Sequence, residues 1–154
     1  AISAEILSLD YVAPVFPDII QKLQLPEENS KAVYIKRLFL LDGKPIAIGK
    51  SWLPAYLLPD FVEKGMIGAS LSRTLKERYG IVPEKVDDYM EAIRATQSES
   101  ILLNCTLDVP LLLVQGMSLL KDGRPMEYSQ TFWLGDGIRF HMQLHKTDKG
   151  FVMG

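Results

Sequence analysis

The chain has 154 residues, 47% of them hydrophobic and 23% charged, the balance of an ordinary globular domain able to bury a full core. Seventeen basic against nineteen acidic residues leave a formal net charge of −2, and the densest basic stretch, Arg73, Lys76 and Arg78, is broken by Glu77, so a domain that grips nucleic acid unaided is not expected. A single cysteine, Cys105, excludes an internal disulfide; no apolar run is long enough to span a membrane, and residues 1–11 lack the basic start of a signal peptide, so a reducing, cytoplasmic setting is expected.

Residues 2–9 read as an opening strand, interrupted by Pro14 and Pro17, and 16–23 as a short helix with Ile19, Ile20 and Leu23 on one side. Residues 25–30 are a solvated turn, and 32–41, rich in Val, Tyr, Ile and Phe, form a strand. Asp42-Gly43 turns the chain into a return strand over 46–53, with Gly43 free to take a positive φ. Pro54 closes that strand, and Pro59 breaks the next apolar stretch into short helical turns. Residues 69–79 predict a helix with Ser70 at its N-cap, Leu71 and Leu75 on one face, Arg78 in the last turn and Gly80 beyond it. Residues 84–96 are ambiguous, with helix-forming composition but an alternation that suits a strand; 98–104 form a short helix. The opening pattern then recurs: strand 110–120, turn Asp122-Gly123-Arg124-Pro125 and strand 126–134 repeat the earlier hairpin eighty residues on (42 against 122). After Gly135-Asp136-Gly137, residues 138–144 are expected to add a third strand and complete a meander. The sum is an α+β domain: an antiparallel sheet of about six strands with helices packed against it.

No motif for a nucleotide loop, a zinc protease or an activated serine is present, so neither a cofactor nor a catalytic residue is expected. His141 and His145, placed on one strand, would lie roughly 13 Å apart and do not converge on a metal. Cys105 reads as a small hydrophobe. More informative are polar groups on strand faces that ought to be apolar. Val33, Ile35, Arg37 and Phe39 share a face, and an arginine there needs water, a carboxylate or a ligand anion. Glu127, Ser129, Thr131 and Trp133 share another, suited either to solvent or to a hydroxylated or amino-bearing body. Ser70 and Ser72 flank a helix start, where exposed N–H groups favour an anion, although plain capping explains Ser70 as well.

Taken in order, Arg37-Leu38, Asp42-Gly43-Lys44-Pro45-Ile46, Ser51-Trp52-Leu53-Pro54, Ser70-Leu71, Glu77-Arg78-Tyr79-Gly80, Glu91-Ala92, Gly123-Arg124-Pro125-Met126-Glu127-Tyr128-Ser129, Gly135-Asp136 and Arg139-Phe140 resemble the UTRA domain of HutC-type regulators in the GntR superfamily. The resemblance covers nearly all of residues 1–154. It implies a chorismate lyase-like fold without lyase activity, a strand rather than a helix over 86–93, and a homodimer. It further implies a longer regulator whose N-terminal winged helix-turn-helix, absent from this chain, binds operator DNA under the control of a small anionic effector, a sugar phosphate or a carboxylate. By the same resemblance Arg37 and Ser70 contact the anion, Glu127 binds the effector's polar body, and Trp133 lines it. Ser72 stands where a tyrosine is common, Phe39 where many members have a second arginine, and Gly137 where an arginine is frequent. Losing one guanidinium disfavours a doubly charged phosphate, so the expected effector is a carboxylate, a less charged ester or a more apolar molecule. A lyase-like enzyme acting on an aromatic diacid and a purely structural dimerisation domain are the competing readings.

Overall fold

The structure, a computed structural model, describes residues 1–13, 16–148 and the backbone of 150–153. Pro14, one of the two residues expected to interrupt the first strand, lies outside the described residues. The first elements are β1 (Ile2–Val12), α1 (Pro17–Leu23), β2 (Ala32–Leu41), β3 (Lys44–Pro54), α2 (Phe61–Lys64) and α3 (Leu71–Tyr79). They are followed by β4 (Lys85–Arg94), α4 (Gln97–Leu103), β5 (Pro110–Leu119), β6 (Pro125–Leu134), β7 (Leu144–Thr147) and β8 (Gly150–Met153). Six strands make one antiparallel sheet in the order β1-β2-β3-β6-β5-β4, and β7 and β8 pair in a separate two-stranded sheet.

Local chemistry accounts for most of these boundaries. Pro17 opens α1 at a position where its missing N–H costs nothing. Asp42 and Gly43 both take positive φ, 49° and 82°, the pairing that a tight two-residue hairpin turn requires. In the second turn the Asp122 carboxylate accepts the Arg124 N–H at 3.0 Å while Gly123 adopts φ 88°. Ser70 caps α3 by accepting the Arg73 N–H, and Gly80 ends it in the left-handed region at φ 66°. Thr96 and Glu99 form a reciprocal capping box at the start of α4. Residues 85–94 are a strand, as the resemblance implied where the residue pattern was ambiguous, because β5 offers them a full antiparallel edge.

The expected third strand of the meander, 138–144, is not formed. Residues 135–137 make a 3-10 turn, 138–143 carry no strand, and the next strand begins only at Leu144. The reason is topological. β6 is already hydrogen-bonded to β3 on one side and β5 on the other, so no open edge remains beside it. His141 and His145 therefore do not share a strand: His145 is on β7, His141 precedes it, and both are exposed.

Helices cover both faces of the six-stranded sheet. On one, Val33, Ile35 and Leu53 pack beneath Phe61 of α2 and Leu71 and Leu75 of α3. On the other, Ile19 and Leu23 of α1 pack with Tyr128 and Trp52, and Leu103 of α4 packs with Leu38, Ile48 and Leu111. Cys105 is half-buried beside this last group, and burial raises its thiol above the usual range. Each buried Leu, Ile or Phe here is worth about 1.5–3 kcal/mol in removal from water. No helix among the described residues is long and apolar enough to cross a membrane.

Two glycines allow close approach within the sheet. A Cβ on Gly116 would lie 2.0 Å from the Asp87 carbonyl oxygen and 2.7 Å from the Asp88 Cα, so β4 backbone would have to move. A Cβ on Gly49 would meet only the edge of the Phe39 ring, at 2.7 Å, and a ring can turn aside. Gly116→Ala is therefore expected to cost about 1–3 kcal/mol, and Gly49→Ala distinctly less. Denaturant midpoints of the two variants check this, and equal losses would show that β4 does not press on β5 as described.

Candidate functional site

The site begins with the loop over residues 65–70, which the start of α3 holds in place. The buried Thr74 hydroxyl donates to the Ser70 carbonyl at 2.7 Å and accepts the Ile67 N–H at 2.9 Å. The Arg78 guanidinium donates to the Gly65 carbonyl. Ser70 Oγ accepts the Arg73 N–H at 3.2 Å and lies 3.4 Å from Ser72 Oγ. Two serine hydroxyls thus stand beside the N–H groups of a helix's first turn, a natural seat for negative charge.

The sheet supplies the opposing wall. Arg37 pairs with Gly49, which pairs with Thr131; Ile35 pairs with Ser51, which pairs with Ser129; and Glu127 lies two residues further along β6, opposite Ser118. Period-two alternation sets Arg37, Gly49, Ser51, Glu127, Ser129 and Thr131 on the same face as the Val33–Leu53 core. Part of that face is apolar and covered by α2 and α3; the part beyond them mixes these polar groups with Phe39 and Trp133.

Arg37 crosses from this floor to the loop, its Nη1 donating to the Ala69 carbonyl at 3.1 Å and its guanidinium carbon 4.9 Å from the centre of the Phe39 ring. Its Nε is buried and has no hydrogen-bond partner among the described residues. Burial lowers its pKa, the nearby Glu127 carboxylate opposes that, and a guanidinium keeps its charge across the physiological range. Glu127 Oε2 accepts the Ser51 hydroxyl at 2.7 Å. Burial raises the Glu127 pKa above the ordinary carboxylate range; the Ser51 bond and Arg37 pull it down, and Asp88 pushes it further up. The ion pairs among the described residues are Ala1–Asp42, Arg73–Glu77 and Arg124–Asp122, so Arg37 and Glu127 feel each other's field without joining.

Arg37, Ser70, Ser72 and Glu127 line a single cleft of about 430 Å³, together with Ser118 and Val86. A second hollow of about 460 Å³ adjoins it and shares Arg37 and Ser70, with Phe39 and Ala4 on its wall. Trp133, expected to line the effector, borders neither: its ring stacks on Phe39 with centroids 6.5 Å apart. Trp133 therefore reaches the site only through Phe39. Sequence reasoning missed Ser51, which period two places on the Arg37 face once β3 is in register. It also missed Ser118, Val86 and the Thr74 anchor, whose roles depend on contacts between distant segments. Among the described residues, no three His, Cys, Asp or Glu side chains converge as metal ligands do.

The UTRA domain family model matches residues 1–139. The chain is similar to the mannosyl-D-glycerate transport/metabolism system repressor MngR of Escherichia coli, at 26% identity over 129 residues covering 84% of this chain and 53% of the relative. It is also similar to the HTH-type transcriptional regulator YurK of Bacillus subtilis, at 27% identity over 121 residues, 79% of this chain and 49% of that protein. The chain thus spans about half the length of the curated relatives it matches. In fold it resembles the effector domain of PhnF from Mycobacterium smegmatis, with a TM-score of 0.86 and 19% identity, covering 94% of this chain and 88% of that one. With a family match over residues 1–139 and relatives that are transcriptional regulators, the chain belongs to the UTRA domain family.

Proposed function

We propose that this domain is the effector sensor of a bacterial transcriptional regulator. It binds a small anionic metabolite, a sugar phosphate or a carboxylate, in the cleft between α3 and the sheet and does no chemistry on it. Acting as a homodimer, it passes the bound state to an attached winged helix-turn-helix and so changes operator affinity; the two arrangements of the dimer must differ in effector affinity for that coupling to exist. One observation carries the reading. A guanidinium sits in a cleft with a shielded Nε that no described residue satisfies. A buried donor left unpaired costs about 1–3 kcal/mol, and an anion in the cleft that draws the guanidinium round to face it recovers that cost.

Phe39 bears on which anion. Its ring is packed between the Arg37 guanidinium and Trp133, at the position where many UTRA domains carry a second arginine. One fork suits a carboxylate or a singly charged ester better than a dianion. The same ring argues against lyase-like turnover of an aromatic diacid, which needs an anchor for each carboxylate.

Two outcomes are expected. Arg37→Ala should weaken binding about 10–100-fold for whichever of a panel of sugar phosphates and small carboxylates binds the unaltered domain, since a charge-assisted hydrogen bond is worth about 1.5–3 kcal/mol. Titration calorimetry reads the affinity and circular dichroism confirms the fold; identical isotherms would remove Arg37 from the site. The second outcome concerns pH. Because the folded Glu127 pKa lies above its unfolded value, the native state binds the extra proton. Its stabilising contribution is complete below the ordinary carboxylate value and fades as pH rises through the raised folded value. Glu127→Gln should therefore stabilise the ligand-free domain at pH 8 relative to the unaltered chain and change little at pH 4. Urea midpoints at the two pH values check the sign.

A further inference from the structure

Two hollows meet at one pair of anion-binding groups. Arg37 and Ser70 line both the cleft that ends at Glu127 and the second hollow of about 460 Å³. What lies beyond the pair differs between them. In the first direction stand Ser72, Ser118 and Glu127. In the second stand Phe39, Ala4 and Ile2, the last of them 64% exposed.

The second hollow is open because of side-chain size along one row of the sheet. Ala4 pairs with Phe39, Phe39 with Ala47 and Ala47 with Trp133, so large rings alternate with methyl groups on one face. Ala4 is too short to cover Phe39 from the β1 side, and the ring stays half-buried. Ala47 lets the Phe39 and Trp133 rings stack, with their planes 16° apart. Gly49 leaves the ring room to lean toward Arg37, whose guanidinium carbon lies 4.9 Å from its centre. Phe39 is thus fixed as an apolar wall between a cation and an indole.

The place of Arg37 and Ser70 between the hollows decides what kind of anion fits. A carboxylate or a phosphate monoester sits at the end of its molecule and carries its body to one side only. Seated at Arg37 with a polar body toward Glu127, it leaves the Phe39 wall in water. A phosphodiester has two arms that leave the phosphorus in different directions. It also carries a single negative charge at neutral pH, which one guanidinium answers. One arm then brings hydroxyls to Glu127 and Ser118 while the other lays carbon on Phe39, and apolar surface leaves the water on both partners.

We infer that the effector is a phosphodiester held through its middle, with the phosphate at Arg37 and Ser70, a hydroxylated arm in the cleft and an apolar arm in the hollow walled by Phe39. This rests on the anion-sensor reading above and adds the second arm. Phe39 then sets specificity: it selects diesters over monoesters of the same hydroxylated body, while Arg37 holds both.

Calorimetric titration of the 154-residue chain with glycerol 3-phosphate, phenyl phosphate and their mixed diester, glycerol phenyl phosphate, tests this. The diester is expected to bind at least about tenfold more tightly than either monoester. Phe39→Ala should remove most of that advantage and leave glycerol 3-phosphate within about twofold, a split that general loss of structure would not produce. Phe39→Arg, which replaces the wall with a second cation, should reverse the order and favour the monoesters. Arg37→Ala should weaken all three. A diester that binds no better than glycerol 3-phosphate, with both dependent on Arg37, would overturn the second arm and leave the anion sensor standing. A diester advantage unchanged in both Phe39 variants would overturn the place given to the apolar arm. If none of the three binds while a small carboxylate does, the phosphodiester is wrong and the sensor survives; if no phosphate or carboxylate binds, both readings fall.

Discussion

The pairing of β3 with β6 is the contact on which the rest of the molecule depends. Each hairpin, β2–β3 and β5–β6, brings its own turn and its own alternation, and neither forms a cleft by itself. When Ala47 through Trp52 align with Trp133 through Tyr128, two three-stranded halves become one sheet, and the faces that carry Arg37 and Glu127 become a single floor. A slip of one residue along this pairing would turn every β6 side chain to the opposite face. Glu127 would then join the side covered by α1 and α4, and the cleft would lose its acid. With β3 on one edge and β5 on the other, β6 has no open edge left, and the chain after Leu134 leaves the sheet.

A second constraint is electrostatic. Arg37 and Glu127 are held in a partly desolvated cleft without meeting, and each bears a burial penalty that no direct ion pair relieves. A domain shaped for stability alone would join them or replace them with apolar groups of similar size. The apolar half of the same face shows the contrast: Val33, Ile35 and Leu53 are wholly buried beneath α2 and α3. Stability is concentrated there, and the polar half is left incomplete. That division suits a sensor, because a ligand that satisfies Arg37 and Glu127 stabilises the folded state by mass action.

The loop before α3 joins the two halves. Thr74 and Arg78 tie residues 65–70 to the helix, and Arg37 ties Ala69 to the sheet. The wall of the cleft is therefore held by side chains from the helix behind it and from the floor beneath it. An anion that draws on the Arg37 donors acts on the same guanidinium that secures this wall.

Much of this was legible in the residues themselves. Asp42-Gly43 and Asp122-Gly123 marked both hairpins, Ser70 and Gly80 bounded α3, and period two set Arg37 beside Val33 and Ile35, because turns, caps and strand faces depend on dihedrals and spacings within a few residues. The UTRA resemblance resolved the 85–94 strand, where composition alone pointed to a helix. What lay out of reach was whatever needs two distant segments in register. The fate of residues 138–144 turned on an edge already occupied; the displacement of Trp133 behind Phe39 and the close approach of β4 to Gly116 turned on packing between strands far apart in the chain. Sequence alone therefore determined most of the elements and named Arg37, Ser70, Ser72 and Glu127, whose signals are short-range. Only the tertiary structure decided that these four line one cleft and that Trp133 stands outside it, because burial and apposition are properties of surfaces that do not exist until the sheet has closed across β3 and β6.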